Sequence, residues 1–317
     1  MRKSAKYFYQ PLMKNLSVNH EIRIEKAILS LEGLSLGDSF GQNFFIEQDK
    51  AIQLINSRQL PTKPWLYTDD TVMAISIVET LKKFGKIEQD YLAQLFARRY
   101  TEEPFRGYGS NAGKILREIS QGIHWKQASE NAFSGMGSMG NGGAMRAAPL
   151  GAYFFDDYKK VVREAKASCE VTHSHHDAQA GTIAVAIAAA YCVRQSLKAS
   201  MNDRSLLETV VKITPQSDTT SRIKRAINIP FDSRLDYVIS LLGNGTNLCS
   251  YDTVPIALWM AAGYDDDFSE AIWHSVSALG DRDTICAIVG SLVALMLGKQ
   301  NLPQTWLECR EPVHLQI

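Results

Sequence analysis

Apolar residues recur along most of this chain at the three-and-four spacing of a helix face, and almost nowhere at the alternating spacing of a strand. Ile24, Ala27, Ile28, Leu31 and Leu34 predict a first helix from Glu21, ended by Gly37 and Gly41. Val72, Ile75, Val78 and Leu81 predict a second helix that stops near Gly85. A third is expected over 90–100, ending before Pro104, and 101–113 reads as loop. Residues 134–143 hold five glycines in ten positions, too many for regular structure. Further helices are expected over 156–169, 175–197, 204–213, 219–229, 233–242, 253–262, 268–277 and 284–297. The valine pairs at 161–162 and 210–211 are too short for strands and lie inside helical windows. The pattern predicts an all-α fold. It is one compact domain of about a dozen helices over 21–317, behind an arm at 1–20, with its active-site cleft lined by loops.

Composition narrows the class. Of 317 residues, 45% are hydrophobic, enough for a sizeable core. Thirty-four basic residues balance thirty-four acidic ones, so no global field draws the chain to nucleic acid or to an anionic membrane. The apolar runs at 183–193 and 285–297 fall short of the roughly 20 residues a bilayer span requires. Five cysteines without a CxxC pair, and no apolar leader in the first twenty residues, lead to the expectation of reduced thiols in a cytoplasmic protein.

Two acidic clusters more than 200 residues apart share one chemical format: Thr68-Asp69-Asp70-Thr71 and Asp281-Arg282-Asp283-Thr284. Each opens a helix, where a single acid or threonine is an ordinary cap. Capping does not account for two adjacent carboxylates, which repel each other unless a cation lies between them. The donors are all oxygen, which suits a hard cation such as Mg2+. An EF-hand is excluded, because its required glycine and glutamate positions, counted from Asp281, hold Cys286 and Leu292. The segment from Gly135 to Arg146 is neither a P-loop nor a Rossmann turn, yet its successive backbone N–H groups suit a diphosphate. In Thr172-His173-Ser174-His175-His176-Asp177 a zinc reading finds no second histidine pair nearby. One histidine touching a substrate is the simpler reading.

Five motifs then stand in order: Gly37-Asp38-Ser39-Phe40-Gly41, the Thr-Asp-Asp-Thr run, Gly-Asn-Gly-Gly-Ala-Met-Arg ending at Arg146, Thr172-His173, and Gly-Asp-Arg-Asp-Thr ending at Thr284. Together, over residues 21–298, they resemble the ADP-ribosylglycohydrolases. The resemblance implies an all-α fold holding two Mg2+ or Mn2+ ions on Thr68, Asp69, Asp70, Asp281, Asp283 and Thr284. It implies hydrolysis of the bond joining ADP-ribose to a modified protein side chain, arginine first, with serine or O-acetyl-ADP-ribose linkages as rivals. Asp69, Asp70 or Glu47 would move the proton. Gly137, Ser138, Met139, Gly140, Asn141, Gly142 and Gly143 would hold the diphosphate and distal ribose, with His173 contacting the ligand.

Two positions depart from the family pattern. Phe45 stands where many members carry a glutamate, with Glu47 close by, and Ser138 stands where arginine-directed bacterial enzymes carry an aspartate. The departures keep a second class open: a module that binds ADP-ribose or a toxin without turnover. Residues 1–20 carry Arg2, Lys3, Lys6 and Lys14, no acid, and the triplet Tyr7-Phe8-Tyr9. This layout resembles bacterial immunity proteins of the family, in which such an arm would contact a cognate ADP-ribosyltransferase toxin.

Overall fold

The computed structural model describes residues 20–197, 203–264 and 266–315. The basic aromatic arm lies outside them except for His20. Sixteen α-helices account for most of the described residues: α1 (His20–Gln42), α2 (Gln48–Asn56), α3 (Asp69–Phe84), α4 (Gln89–Glu102), α5 (Ser110–Ser120), α6 (Trp125–Glu130), α7 (Ala148–Tyr153), α8 (Tyr158–Glu170), α9 (His176–Ser196), α10 (Asp203–Ile213), α11 (Asp218–Ala226), α12 (Leu235–Leu242), α13 (Ser250–Gly263), α14 (Phe268–Val276), α15 (Arg282–Leu297) and α16 (Gln304–Leu307). Among the described residues there is no strand beyond two isolated bridges. The all-α class is therefore what the structure shows.

The first helix corrects the expectation drawn from its glycines. Gly37 and Gly41 do not end α1, which continues to Gln42. With Gly33 they recur every four residues and so share one face. That face lies directly on α15. A Cβ on Gly33 would stand 2.2 Å from the Gly290 carbonyl oxygen, one on Gly37 2.0 Å from that of Cys286, and one on Gly41 2.4 Å from that of Arg282. Glycine costs a helix about 1 kcal/mol per residue. Here the missing side chains let two backbones touch at three points about one turn apart, and that contact outweighs the propensity. Numbering rises along α1 as it falls along α15, so the helices are antiparallel. The end of α1 therefore lies beside the start of α15.

Five helices were not legible in the periodicity. α2, α6, α7 and α16 span nine residues or fewer, and α5 runs through part of the 101–113 segment read as loop. α5 is anchored by only a few apolar positions, Ile115 and Leu116 among them. α9 and α15 are buried on nearly every side, as their continuous apolar runs require. Near the C-terminus, Phe40 stacks on Trp306 at 4.5 Å, and Trp65 N donates to the Cys309 carbonyl at 2.7 Å. Glu311 accepts from Tyr67 N at 2.8 Å and pairs with Arg106, whose carbonyl accepts from Asp69 N at 2.7 Å. This strap fixes the chain entering α3. No helix among the described residues is long and apolar enough to cross a membrane. All five cysteines are free thiols.

Candidate active site

The end of α1 and the starts of α3 and α15 converge on one cleft of about 430 Å3. Thr68 caps α3 through its side chain, which accepts from Asp70 N, and Asp281 stands at the N-cap of α15. Their positions bring Asp69, Asp70, Asp281, Asp283 and Thr284 to the cleft wall. Thr284 Oγ1 lies 3.5 Å from Asp70 Oδ2, which links the two clusters directly.

Behind this wall stands Asp38, a residue quoted in the first motif but given no role from sequence. Wholly buried, it accepts from Thr68 N at 3.0 Å and Thr68 Oγ1 at 2.8 Å, and from both N and Oγ1 of Thr71. Asp38 thus fixes the first turn of α3. Burial first, and then the nearby Asp283 charge, push its carboxyl up to about 7. The same causes raise Asp69 and Asp70 well above the carboxylate range, and Asp281 likewise. Asp283, half-buried, is raised by desolvation against hydrogen bonds that lower it. Five carboxyl groups in mutual repulsion are an electrostatic debt that a cation would cancel. Asp70 Oδ1 is buried with no hydrogen-bond partner, an acceptor left for a ligand. The all-oxygen donors and this orphaned atom fit a hard divalent ion.

The glycine-rich loop forms the opposite wall. It is irregular apart from short 3-10 turns at Ala132–Gly135 and Asn141–Gly143. It is pinned to a second loop that sequence reasoning did not single out: Asn141 N donates to the Leu248 carbonyl and Ser250 N to the Met139 carbonyl, both at 3.1 Å. Asn141 Nδ2 donates to Asp281 and to Thr253 Oγ1, so this side chain ties the loop to the carboxylates. Ser138 Oγ, nearly buried, accepts from Gly140 N at 3.2 Å. Phe133, Ser134 and Leu248 adopt left-handed backbone angles, φ 53, 59 and 52°. All three are non-glycine, and Phe133 and Leu248 line the mouth as exposed apolar residues. Strain of this kind gathers at ligand sites. No pattern in the sequence marks Leu248, and Asp38 was marked only by its motif.

Several sequence-predicted residues lie elsewhere. Glu47 is exposed, caps α2 by accepting from Asp49 N and Lys50 N, and is not part of the cleft wall. Its local role is that of a cap, which also holds its carboxyl below the usual range. Phe45 is half exposed under the Arg282 guanidinium, 5.1 Å from its ring centroid. Thr68 sits behind Asp70 with its hydroxyl engaged on Asp38. Gly143 turns away from the cleft toward Thr182 and Cys169. His173 lines the cleft, whereas His175 caps α9 by accepting from Asp177 N. His175, His176 and Asp177 offer ligand atoms within 4.8 Å of one another, and Asp177 is held by Thr219.

The chain matches the family model described as ADP-ribosylglycohydrolase over residues 19–316. ADP-ribosylhydrolase ARH3 of Danio rerio is 27% identical to it, covering 87% of this chain and 84% of the relative. ADP-ribosylarginine hydrolase Tri1 of Serratia proteamaculans is 21% identical, covering 90% and 75%. A solved structure titled ADP-ribosylglycohydrolase-related protein complex superposes with a TM-score of 0.65 at 22% identity, covering 92% of this chain and 94% of its own. That likeness is one of fold.

Proposed function

The chain belongs to the ADP-ribosylglycohydrolase family, and from that premise we propose that it releases ADP-ribose from a modified protein side chain, with arginine as the linkage. The observation that carries this reading is the convergence of Asp69, Asp70, Asp281 and Asp283 in a cleft whose other wall is the glycine-rich loop. The arginine linkage draws support from the name of the Serratia relative. Asp69, Asp70, Asp281, Asp283 and Thr284, backed by Thr68, are the residues that would hold two Mg2+ or Mn2+ ions. Bound there, such ions supply Lewis-acid binding of ribose hydroxyls and a lowered pKa for water.

The chain's own groups do the rest. Backbone N–H groups of Ser138, Met139 and Gly142 cradle the diphosphate, and His173 beside them contacts the ligand. Binding far from the reacting carbon positions the ribose. Asp69 or Asp70 takes a proton from the attacking water as its oxygen bonds to the anomeric carbon. The carbon–nitrogen bond breaks, its electron pair leaves with the guanidine, and the guanidine ends protonated. The test is release of ADP-ribose from arginine-modified protein with and without EDTA. Release only without EDTA is expected; release unaffected by EDTA would remove the metal assignment.

A second reading has one observation in its favour. Ser138 places a neutral group on the cleft wall, where a carboxylate would pair with a guanidinium, and this suits an oxygen-linked substrate such as modified serine or O-acetyl-ADP-ribose. Parallel assays on arginine- and serine-modified proteins separate the two. Binding without turnover, as in an immunity module, would show as retained label in both. A role against an ADP-ribosyltransferase toxin rests on the basic aromatic segment at 1–20, and deleting it should then weaken toxin binding.

A further inference from the structure

A neutral histidine beside a ligand has two tautomers of opposite use: one offers Nε2–H as a donor, the other offers bare Nε2 as an acceptor. The side chains behind His173 choose between them. Arg146 is wholly buried, with its guanidinium 4.5 Å from the Phe96 ring centroid. Its Nη2 donates to Thr172 Oγ1 at 2.8 Å and to the Ser168 carbonyl at 3.3 Å. A guanidinium has no acceptor, so the Thr172 oxygen accepts in that bond. Thr172 is itself wholly buried, and the other partner of its hydroxyl is His173 Nδ1 at 2.7 Å. Were Nδ1 protonated, the hydroxyl would face two donors and its own hydrogen would be buried without an acceptor, a costly arrangement. The hydroxyl therefore donates to Nδ1, and the ring proton resides on Nε2.

That nitrogen is turned to the glycine-rich loop. A Cβ on Gly140 would stand 3.1 Å from His173 Nε2, and one on Gly142 only 2.7 Å from Cε1. The missing side chains leave the edge of the ring open to the cleft it lines. We propose that Arg146 and Thr172 are positioning residues that lock His173 as a neutral Nε2–H donor, presented to an acceptor oxygen of the bound ligand. Burial, and then the Arg146 charge, hold the imidazole down at about 3, in keeping with a neutral ring. The nature of that oxygen, on a phosphate or a ribose, rests on the function proposed above, whereas the tautomer does not.

The experiment is long-range proton–nitrogen correlation on protein labelled with 15N-histidine, with His173 assigned by His173→Gln, alongside calorimetry with free ADP-ribose. The full chain should show His173 with Nε2 protonated and Nδ1 bare. Thr172→Val keeps the shape without the hydroxyl; it should lose the single tautomer and weaken ADP-ribose binding about tenfold. Thr172→Ser should restore both. A protonated Nδ1 in the unaltered protein overturns the relay, whether or not the variants fold. So does a folded Thr172→Val protein with tautomer and affinity unchanged. The expected tautomer with no ADP-ribose binding would uphold the relay and remove the ADP-ribose reading instead.

Discussion

Helix α15 has two unlike sides. From Arg282 to Gly290 its backbone lies against the glycine face of α1, and Ile285, Ile288, Val289, Leu292 and Val293 are wholly buried. Each such side chain stabilises the fold by about 1.5–3 kcal/mol. At its start, Asp281 and Asp283 share a cleft with Asp69 and Asp70, and all are pushed above their ordinary ionisation range. Asp38 alone, raised from 3.8 to about 7, represents roughly 4 kcal/mol of unfavourable ionisation. The difference teaches that the seam is where the fold gains stability and the cleft is where it loses some. One rigid helix joins them, so carboxylates that repel each other are still held in place.

The largest expected effect breaks the cleft and spares the seam. Asp70→Asn should cut ADP-ribose release about a thousandfold, while its melting temperature in EDTA stays equal or rises because a buried charge has gone. Full release, or a clear fall in stability, would contradict the contrast.

The converse change breaks the seam. Gly37→Ala puts a methyl 2.0 Å from a backbone oxygen of α15, which no side-chain rotation relieves. A loss of about 3 kcal/mol is expected by urea denaturation, with activity falling only as folded protein falls. A near-neutral result would mean that the helices can part without cost.

Stability against pH sharpens the comparison. The raised carboxyls of Asp38, Asp69, Asp70, Asp281 and Asp283 keep protons that the unfolded chain releases near its ordinary values. The folded state binds more protons in that window, so stability should fall as pH rises from about 4 toward 7 in EDTA. Saturating Mg2+ should flatten the fall. Melting curves that rise with pH in EDTA would show the carboxylates already compensated.

The smallest effect is expected at Glu47, outside both regions. Glu47→Ala should lower stability slightly through loss of its cap and leave turnover within about twofold. A tenfold loss of turnover would return Glu47 to the chemistry.

How far each region could be read in advance follows from what made it. Helical spacing located α3, α4, α8 and α9 to within a few residues, because a buried face imposes its period on the sequence. The capping format at Thr68 and Asp281 was legible because caps are local. Gly37 and Gly41 were misread as breakers, since a glycine that ends a helix and one that admits a neighbour look alike until the neighbour is seen. Asp38 and Leu248 gained roles only through partners 30 or more residues away.

The sequence by itself determined the all-α class, most helix positions, the two acid–threonine clusters and the glycine loop, since each depends on residues a few places apart. Only the tertiary structure decided that α1 runs on past its glycines, that Asp38 stands behind the carboxylates, that Glu47 lies off the cleft wall, and that Thr172 sets the face His173 presents. Those outcomes depend on which backbones approach closely enough to share burial and charge, and burial is a property of the packed whole.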